Sequence, residues 1–550
     1  MRNRILLMAA FSILVLYPQV YSWFNCGIQM VFNSFADDAF YYFTVAKNFQ
    51  PGMPINFDGV NATNGFHPLW QFLLIELFRL LPGQQAAQLT VVFAISVSLV
   101  LMGLVFTAWA VMELTKSFWA PFWLIPGFYF IFFQVSPAER GLTYTYSMWS
   151  FVNGLESPLT LFFGGILFFL ISKQFFEAYE GPFAEGAAEI AKHARYYWLN
   201  HLGVGILLAF IVLSRLDDVF ILPAFALALA CTNEGIIRKI YRMLLICGPA
   251  SIAIICYMAY NQITAGTLTP VSGQLKSGNW LTLNFITMVR DFVPALLDKS
   301  ESYDISRWRY SSNRNYALAI PIIFSIFYLI NLLHKRKTER KQFGKMYFMV
   351  PLLLYTFFKG LHNFVMVNWK FQGYWYFPYS ILIFNVICIL MFYGSSDTLR
   401  RQSVREISVF LCGLWVVIYL TSSSYIINRL VTEPNLTFLF WKDRFEIAGS
   451  LRKIDRYMKI IDGHDGYIAY SLPFPAAPST GLGTSLDGIK AHKAGHYRDF
   501  YFDQGYNVLA ALPGGGYLKF PGEAWSKKLI YKHEPTQISF FRIQKTEDHK

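Results

Sequence analysis

The sequence predicts a polytopic α-helical membrane protein of about eleven transmembrane helices, followed by a small polar α/β domain outside the cytoplasm. Three observations carry this prediction. The 550-residue chain is 55% hydrophobic and only 15% charged, with a mean hydropathy of +0.36, which leaves too little polar surface for a soluble chain of that length. Apolar runs of about 17 to 25 residues follow one another, as a hydrocarbon core of ~30 Å demands. After Ile427 the composition turns mixed and polar, with Gly- and Pro-rich turns.

The formal charge of +13 at neutral pH is informative through its location. Much of the excess lies between apolar runs: Arg2 and Arg4, Arg238 to Arg242, His334 to Lys345, and Arg400 to Arg405. Such clusters are cytoplasmic anchors under the positive-inside rule. A nucleic-acid surface would need a basic face on a folded soluble domain, so nucleic acid is excluded as a partner. Of the six cysteines, Cys231, Cys247, Cys256, Cys388 and Cys412 lie in or beside apolar runs and only Cys26 stands outside. They form neither a disulfide framework nor a zinc spacing.

In chain order, Met1-Arg-Asn-Arg and the apolar stretch behind it read as a first membrane helix, since no small-residue cleavage site follows near Tyr21 to Cys26. The expected spans are residues 5–23, 86–112, 118–135, 158–173, 200–214, 217–233, 242–260, 315–333, 347–367, 377–393 and 407–427. His67 to Leu81 is apolar but would rise only ~22 Å as a helix, so it is expected to lie along the outer surface. Were it to cross, the clusters at Lys335 to Lys345 and Arg400 to Arg405 would fall outside. The N-terminus is then cytoplasmic, and residues 24–85, 136–157, 214–217, 261–314, 368–376 and everything after about 428 face outward. Phe183 to Tyr197 and Trp280 to Lys299 have amphipathic spacing and are expected on the membrane surface. Residues 1–427 are read as one membrane module and 428–550 as the outer domain, with short strands at Tyr467–Ser471, Lys528–Lys532 and Gln537–Ile543. Gly481-Leu-Gly483 and Gly514-Gly-Gly516 lack a following Lys-Ser/Thr and are read as turns.

The chemistry-bearing residues gather on the outer face. Asp37-Asp38-Ala-Phe-Tyr-Tyr42 follows the first span, then Phe57-Asp58-Gly59, then Thr63-Asn-Gly-Phe-His67-Pro-Leu-Trp70. Adjacent carboxylates beside a membrane are costly unless a cation, a proton or a substrate hydroxyl compensates them. One Asp is explained as a helix N-cap; two are not. Further outer-face segments are Asn153-Gly-Leu-Glu156-Ser157, Arg215-Leu-Asp217, and Leu268-Thr-Pro-Val-Ser-Gly273 with Lys276.

The patterns DDAFYYF, FDG and TNGFHPLW, with the later segments and Leu486-Asp-Gly488, resemble bacterial polyprenyl-phosphate-sugar-dependent glycosyltransferases of the GT-C superfamily, relatives of the protein mannosyltransferase and aminoarabinose transferase types. The resemblance is distributed over most of the chain. It implies a GT-C fold in the inner (cytoplasmic) membrane, an outer-face active site, a polyprenyl-phosphate sugar donor, a glycan, lipid or protein acceptor, and an inverting single displacement. It further implies Asp37 as the catalytic position with Asp38 as its partner, acting as base or holding a divalent metal. Trp369 to Tyr376 departs from the pattern in lacking an arginine.

Physical chemistry supplies roles beside the resemblance. An acceptor hydroxyl must lose a proton, and Asp37 is the candidate base. The departing phosphate needs cations, for which Arg140, Arg215, Lys276 and Lys370 are the outer-face candidates. Each has a plainer explanation: Arg140 pairing with Glu139, Arg215 with Asp217, Lys276 and Lys370 snorkelling, His67 and Glu156 capping helices. Asp37, Asp38 and Glu156 would suit a hard divalent ion such as magnesium or manganese. Tyr41, Tyr42, Trp70, Tyr374, Trp375 and Tyr376 would stack on sugar rings or belong to an interfacial belt. Asn61-Ala-Thr63 and Asn435-Leu-Thr437 fit the glycosylation sequon. Two other classes fit the composition: a transporter or flippase of lipid-linked substrates, against which the lack of repeated halves counts, and an inactive scaffold that binds through its outer domain.

Overall fold

The computed structural model describes residues 2–125, 151–180, 187–232, 235–286, 349–367, 376–394, 409–411, 413–414, 417, 436–463, 466–478, 483–511 and 525–545. It is a helical assembly carrying one small sheet. Helices α1 (Arg2–Cys26), α2 (Ile28–Ser34), α3 (Asp37–Asn48), α4 (Pro68–Leu80) and α5 (Gln85–Thr115) come first. After a 3-10 turn at Ala120–Trp123 follow α6 (Ser157–Glu180) and α7 (Ala187–Ser214). A second 3-10 turn at Leu216–Phe220 leads to α8 (Ile221–Ala230), α9 (Ile236–Ala265), α10 (Val271–Lys276), α11 (Met349–Met366) and α12 (Pro378–Gly394).

Three described helices have the length and composition to cross a membrane: Arg4–Cys26, Gln85–Thr115 and Ile236–Ala265. Shorter apolar stretches occupy Ser157–Lys173, Leu199–Ser214 and Pro378–Leu390. The expected spans at 315–333 and, beyond a few helical residues between 409 and 417, 407–427 lie outside the described residues, as does 126–135 of the expected span 118–135. The expected span 217–233 is a 3-10 turn followed by a ten-residue helix. At ~1.5 Å per residue that helix rises only about 15 Å. A helix forms at the expected His67 to Leu81 as α4, with Pro68 opening it. The expected amphipathic stretch 183–197 is helical from Ala187 and continuous with α7 rather than a separate element. Of the segment 280–299, only residues up to 286 are described.

Small residues let α5 and α6 approach closely. A Cβ at Gly103 would lie 2.4 Å from the Leu161 carbonyl oxygen, and one at Gly165 would lie 2.2 Å from the Gly103 carbonyl oxygen. Such small-residue contacts are how membrane helices pack without a hydrophobic driving force.

The C-terminal domain comprises α13 (Leu436–Lys442), α14 (Arg444–Ile454), β1 (Ile460–Asp462), α15 (Tyr467–Ser471), β2 (Ala476–Pro478), α16 (Leu486–Lys493), α17 (Tyr497–Phe502), β3 (Val508–Ala511), β4 (Trp525–His533) and β5 (Ile538–Lys545). The strand order is β2-β1-β3-β5-β4. β1 pairs in parallel with β2 and β3, while β5 pairs antiparallel with β3 and β4. The helical crossovers α15 and α16–α17 are what parallel neighbours require. The expected strands at Lys528–Lys532 and Gln537–Ile543 lie in β4 and β5. The one expected at Tyr467–Ser471 is instead the helix α15, entered through Gly466 at φ 102. All five of its residues are buried, so no alternation was available to separate helix from strand.

This domain is packed onto α3. Ala39 through Ala46 are buried without interruption, as expected of a helix enclosed on all sides. Phe40 packs at a tilt and Phe43 edge-on against Tyr470, and Phe40 edge-on against Tyr467. Lys47 Nζ donates to the carbonyls of Ala469 and Tyr470 at 3.0 Å and of Leu472 at 3.3 Å, closing the C-terminal end of α15. Burial lowers that ammonium to about 8, so it keeps its proton at neutral pH.

Candidate functional site

The acidic pair opens a helix instead of sitting in a loop. Ala36 occupies the cap position of α3 and no side chain caps it, so Asp37 and Asp38 stand in the first turn, where the positive end of the helix dipole favours them. Asp37 is exposed and Asp38 half-buried. Asp38 faces Lys276, whose Nζ lies 4.0 Å from Asp38 Oδ2. Lys276 also donates to the Tyr376 hydroxyl at 3.0 Å.

The start of α3 is held by the segment Asn153 to Ser157. Ala36 N–H donates to the Asn153 carbonyl at 2.9 Å, and Leu155 N–H donates to Asn153 Oδ1 at 3.1 Å. Gly154 has φ 79, and a Cβ there would lie 2.8 Å from the Ala39 Cβ and 3.0 Å from the Phe43 ring. Both conformation and space therefore require glycine at this position. Its carbonyl accepts the indole N–H of the fully buried Trp70 at 2.9 Å. Asn64 Oδ1 in turn accepts from Val271 N–H at 3.0 Å, and Tyr257 donates to the Phe66 carbonyl at 3.3 Å. Segments far apart in sequence thus meet around the acidic turn.

Behind this turn lies a buried charge cluster. Glu156 Oε1 lies 2.5 Å from Arg215 Nη1, and Arg215 Nε lies 2.8 Å from Asp217 Oδ1. Lys359, on α11, lies 3.5 Å from Asp217 Oδ2 and pairs with Asp218. Tyr355 donates to Asp218 Oδ1 at 2.6 Å. Glu156, Arg215, Asp218 and Lys359 are almost wholly buried. Buried charges of this kind persist only when paired and hydrogen-bonded. The Arg215 guanidinium lies 4.5 Å from the centre of the Tyr376 ring, within cation–π range.

His67 completes the back of the site. Its Nδ1 accepts from Leu216 N–H at 3.1 Å, which places the ring proton on Nε2, 3.6 Å from Glu156 Oε1. Burial lowers the His67 pKa, against the opposing pull of Glu156. The imidazole is a neutral strut between α4 and the 3-10 turn.

Asp37, Asp38, Lys276 and Tyr376 share the accessible side, whereas Glu156, Arg215, Asp217 and His67 share the buried cluster. Arg140, Lys370 and Tyr374 lie outside the described residues. The carboxylate trio expected to suit a magnesium or manganese ion is not drawn together. Among the described residues no group of three or more His, Cys, Asp or Glu is arranged to hold a metal, and Glu156 is engaged by Arg215. Asp58 turns out to be a turn-former, accepting from Val60 and Asn61 N–H at 2.9 and 2.7 Å. The Asn61 amide is committed to Asp58 and Gln504, and Asn435 lies outside the described residues. Asp218, Lys359 and Tyr355 were missed by the sequence reading. The available signal was Lys359, a lone cation in the apolar run 347–367.

No family model and no curated protein matches the chain. Among solved structures it is similar to a crystal structure of the Archaeoglobus fulgidus oligosaccharyltransferase complex with Zn and sulfate, at 12% identity and a TM-score of 0.43, over 92% of this chain and 68% of that one. A likeness of that degree assigns neither a residue nor a reaction.

Proposed function

We propose that this chain is a membrane glycosyltransferase that moves a sugar from a polyprenyl-phosphate carrier to a glycan, lipid or protein acceptor at the outer face of the inner membrane. The observation that carries it is the acidic turn: an exposed Asp37 beside an Asp38 that faces Lys276 across 4.0 Å. A base and a cation then stand side by side, as displacement of a phosphate from a sugar requires. Asp37 accepts the proton of the acceptor hydroxyl as that oxygen bonds to the anomeric carbon. The bond from that carbon to the phosphate oxygen breaks, its electron pair leaves on the carrier phosphate, and Lys276 offsets the charge. Attack opposite to the departing bond inverts the anomeric configuration. The outer domain, clasped by Lys47, holds α3 from behind.

The test is transfer of radiolabelled sugar from polyprenyl-phosphate donors to membrane acceptors, comparing unaltered protein with Asp37→Asn at equal expression. Transfer that collapses in the variant is the expected result, and undiminished transfer would move the chemistry elsewhere. A carrier or flippase of lipid-linked substrates is the second reading, favoured by the Lys359–Asp218 pair within the apolar helix α11 and its neighbouring turn. Movement of labelled lipid across proteoliposomes without any sugar transfer would favour it.

A further inference from the structure

The geometry points to Tyr376 as a positioning residue that fixes Lys276 as the cation for the carrier phosphate, with Arg215 set against the Tyr376 ring. This rests on the function proposed above. Arg215 is the stronger charge by chemistry, since its planar fork suits phosphate better than a lysine does. Here, however, the guanidinium is drawn to Glu156 at 2.5 Å and Asp217 at 2.8 Å and is almost wholly buried. What it presents toward the acidic turn is its approach to Tyr376, 4.5 Å from the ring centre.

Tyr376 bridges the two regions. Its ring meets Arg215 while its hydroxyl accepts from Lys276 Nζ at 3.0 Å. That bond holds a long, rotamer-rich side chain at a defined place, 4.0 Å from Asp38 and with 29% of its surface open. A lysine restrained before its ligand arrives loses less entropy on binding than one that must be gathered from solvent. An interfacial tyrosine that merely marked the membrane boundary would have no such coupling to one particular lysine.

The experiment is binding of polyprenyl phosphate, the bare carrier, to full-length protein in nanodiscs, with the uncharged polyprenol as control. Tyr376→Phe keeps the ring on Arg215 and removes the hydroxyl. Carrier affinity is expected to fall about tenfold, the scale of one charge-assisted hydrogen bond, with polyprenol binding unchanged. Lys276→Ala should weaken carrier binding further, and adding Tyr376→Phe to it should cost nothing more, because the hydroxyl acts through the lysine. Additive losses, an unaffected Tyr376→Phe, or an equal loss with polyprenol would each overturn the inference. Carrier binding with the expected coupling but no sugar transfer would sink the proposed function alone, whereas an unaltered protein that binds no carrier would overturn both.

Discussion

The molecule holds two charged centres within reach of one another, and they are built oppositely. At the start of α3, Asp37 and Asp38 stand in a first helical turn, and Lys276, which faces Asp38, is partly open. Behind them Glu156, Arg215, Asp217, Asp218 and Lys359 form a buried cluster in which opposite charges meet directly. The first arrangement keeps its charges partly exposed. The second satisfies charge internally and fixes where helices end. Sequence distance separates these roles poorly, since a carboxylate before an apolar run reads alike in both; the partner decides.

The largest effects should separate the centres cleanly. Asp37→Asn removes a proton acceptor from an exposed position, so transfer should fall by about a hundredfold or more while the thermal midpoint in detergent stays unchanged. Lys359→Met should do the reverse. It leaves Asp218 buried without its cation, and stability should drop by about 3–5 kcal/mol, read as early thermal aggregation. Lys359→Met combined with Asp218→Asn should recover most of that loss, since no unpaired charge remains. A double variant as unstable as the single would break the comparison, because the cluster would then be needed for more than neutrality.

Much of the architecture could be read from local pattern, and its failures have physical causes. The helix α4 was readable because a proline opens its apolar run. That the acidic pair stands inside the first turn of a helix was not readable, because Ala36 gives no cap signature. The segment Tyr467–Ser471 misled because a short element buried on every side carries no periodicity. Lys359 was invisible as a partner of Asp218 because pairing across 141 positions is a property of the fold. Arg215 was recognised as a cation, but whether it faces a phosphate or its own carboxylates depends on the placement of α6, which no spacing encodes.

A smaller effect should come from the joint between the centres. Gly154→Ala places a methyl 2.8 Å from the Ala39 Cβ in a backbone conformation at φ 79 that alanine avoids. Stability should fall by about 1–3 kcal/mol, and transfer should fall with it, since Ala36 hangs from the neighbouring Asn153 carbonyl. Unchanged transfer in a destabilised variant would show that the acidic turn is positioned from the side of the C-terminal domain alone.

The smallest effect tests whether the buried centre tolerates one more proton. His67 has its pKa lowered below the usual 6.5, chiefly by burial, and its Nδ1 is already occupied by the Leu216 N–H. The unfolded chain therefore binds this proton more readily than the folded one. Stability contributed by the neutral imidazole is fully present above 6.5 and declines as the pH falls below it toward the lowered folded value. Glu156, 3.6 Å from Nε2, opposes the decline and keeps it shallow. His67→Asn keeps a hydrogen-bond acceptor near Leu216 but cannot titrate, so its thermal midpoint between pH 7.5 and 5 should fall less than that of the unaltered protein. Parallel curves would mean that His67 takes up its proton beside Glu156 at no cost, and the buried cluster would then be open to charge in the way the acidic turn is.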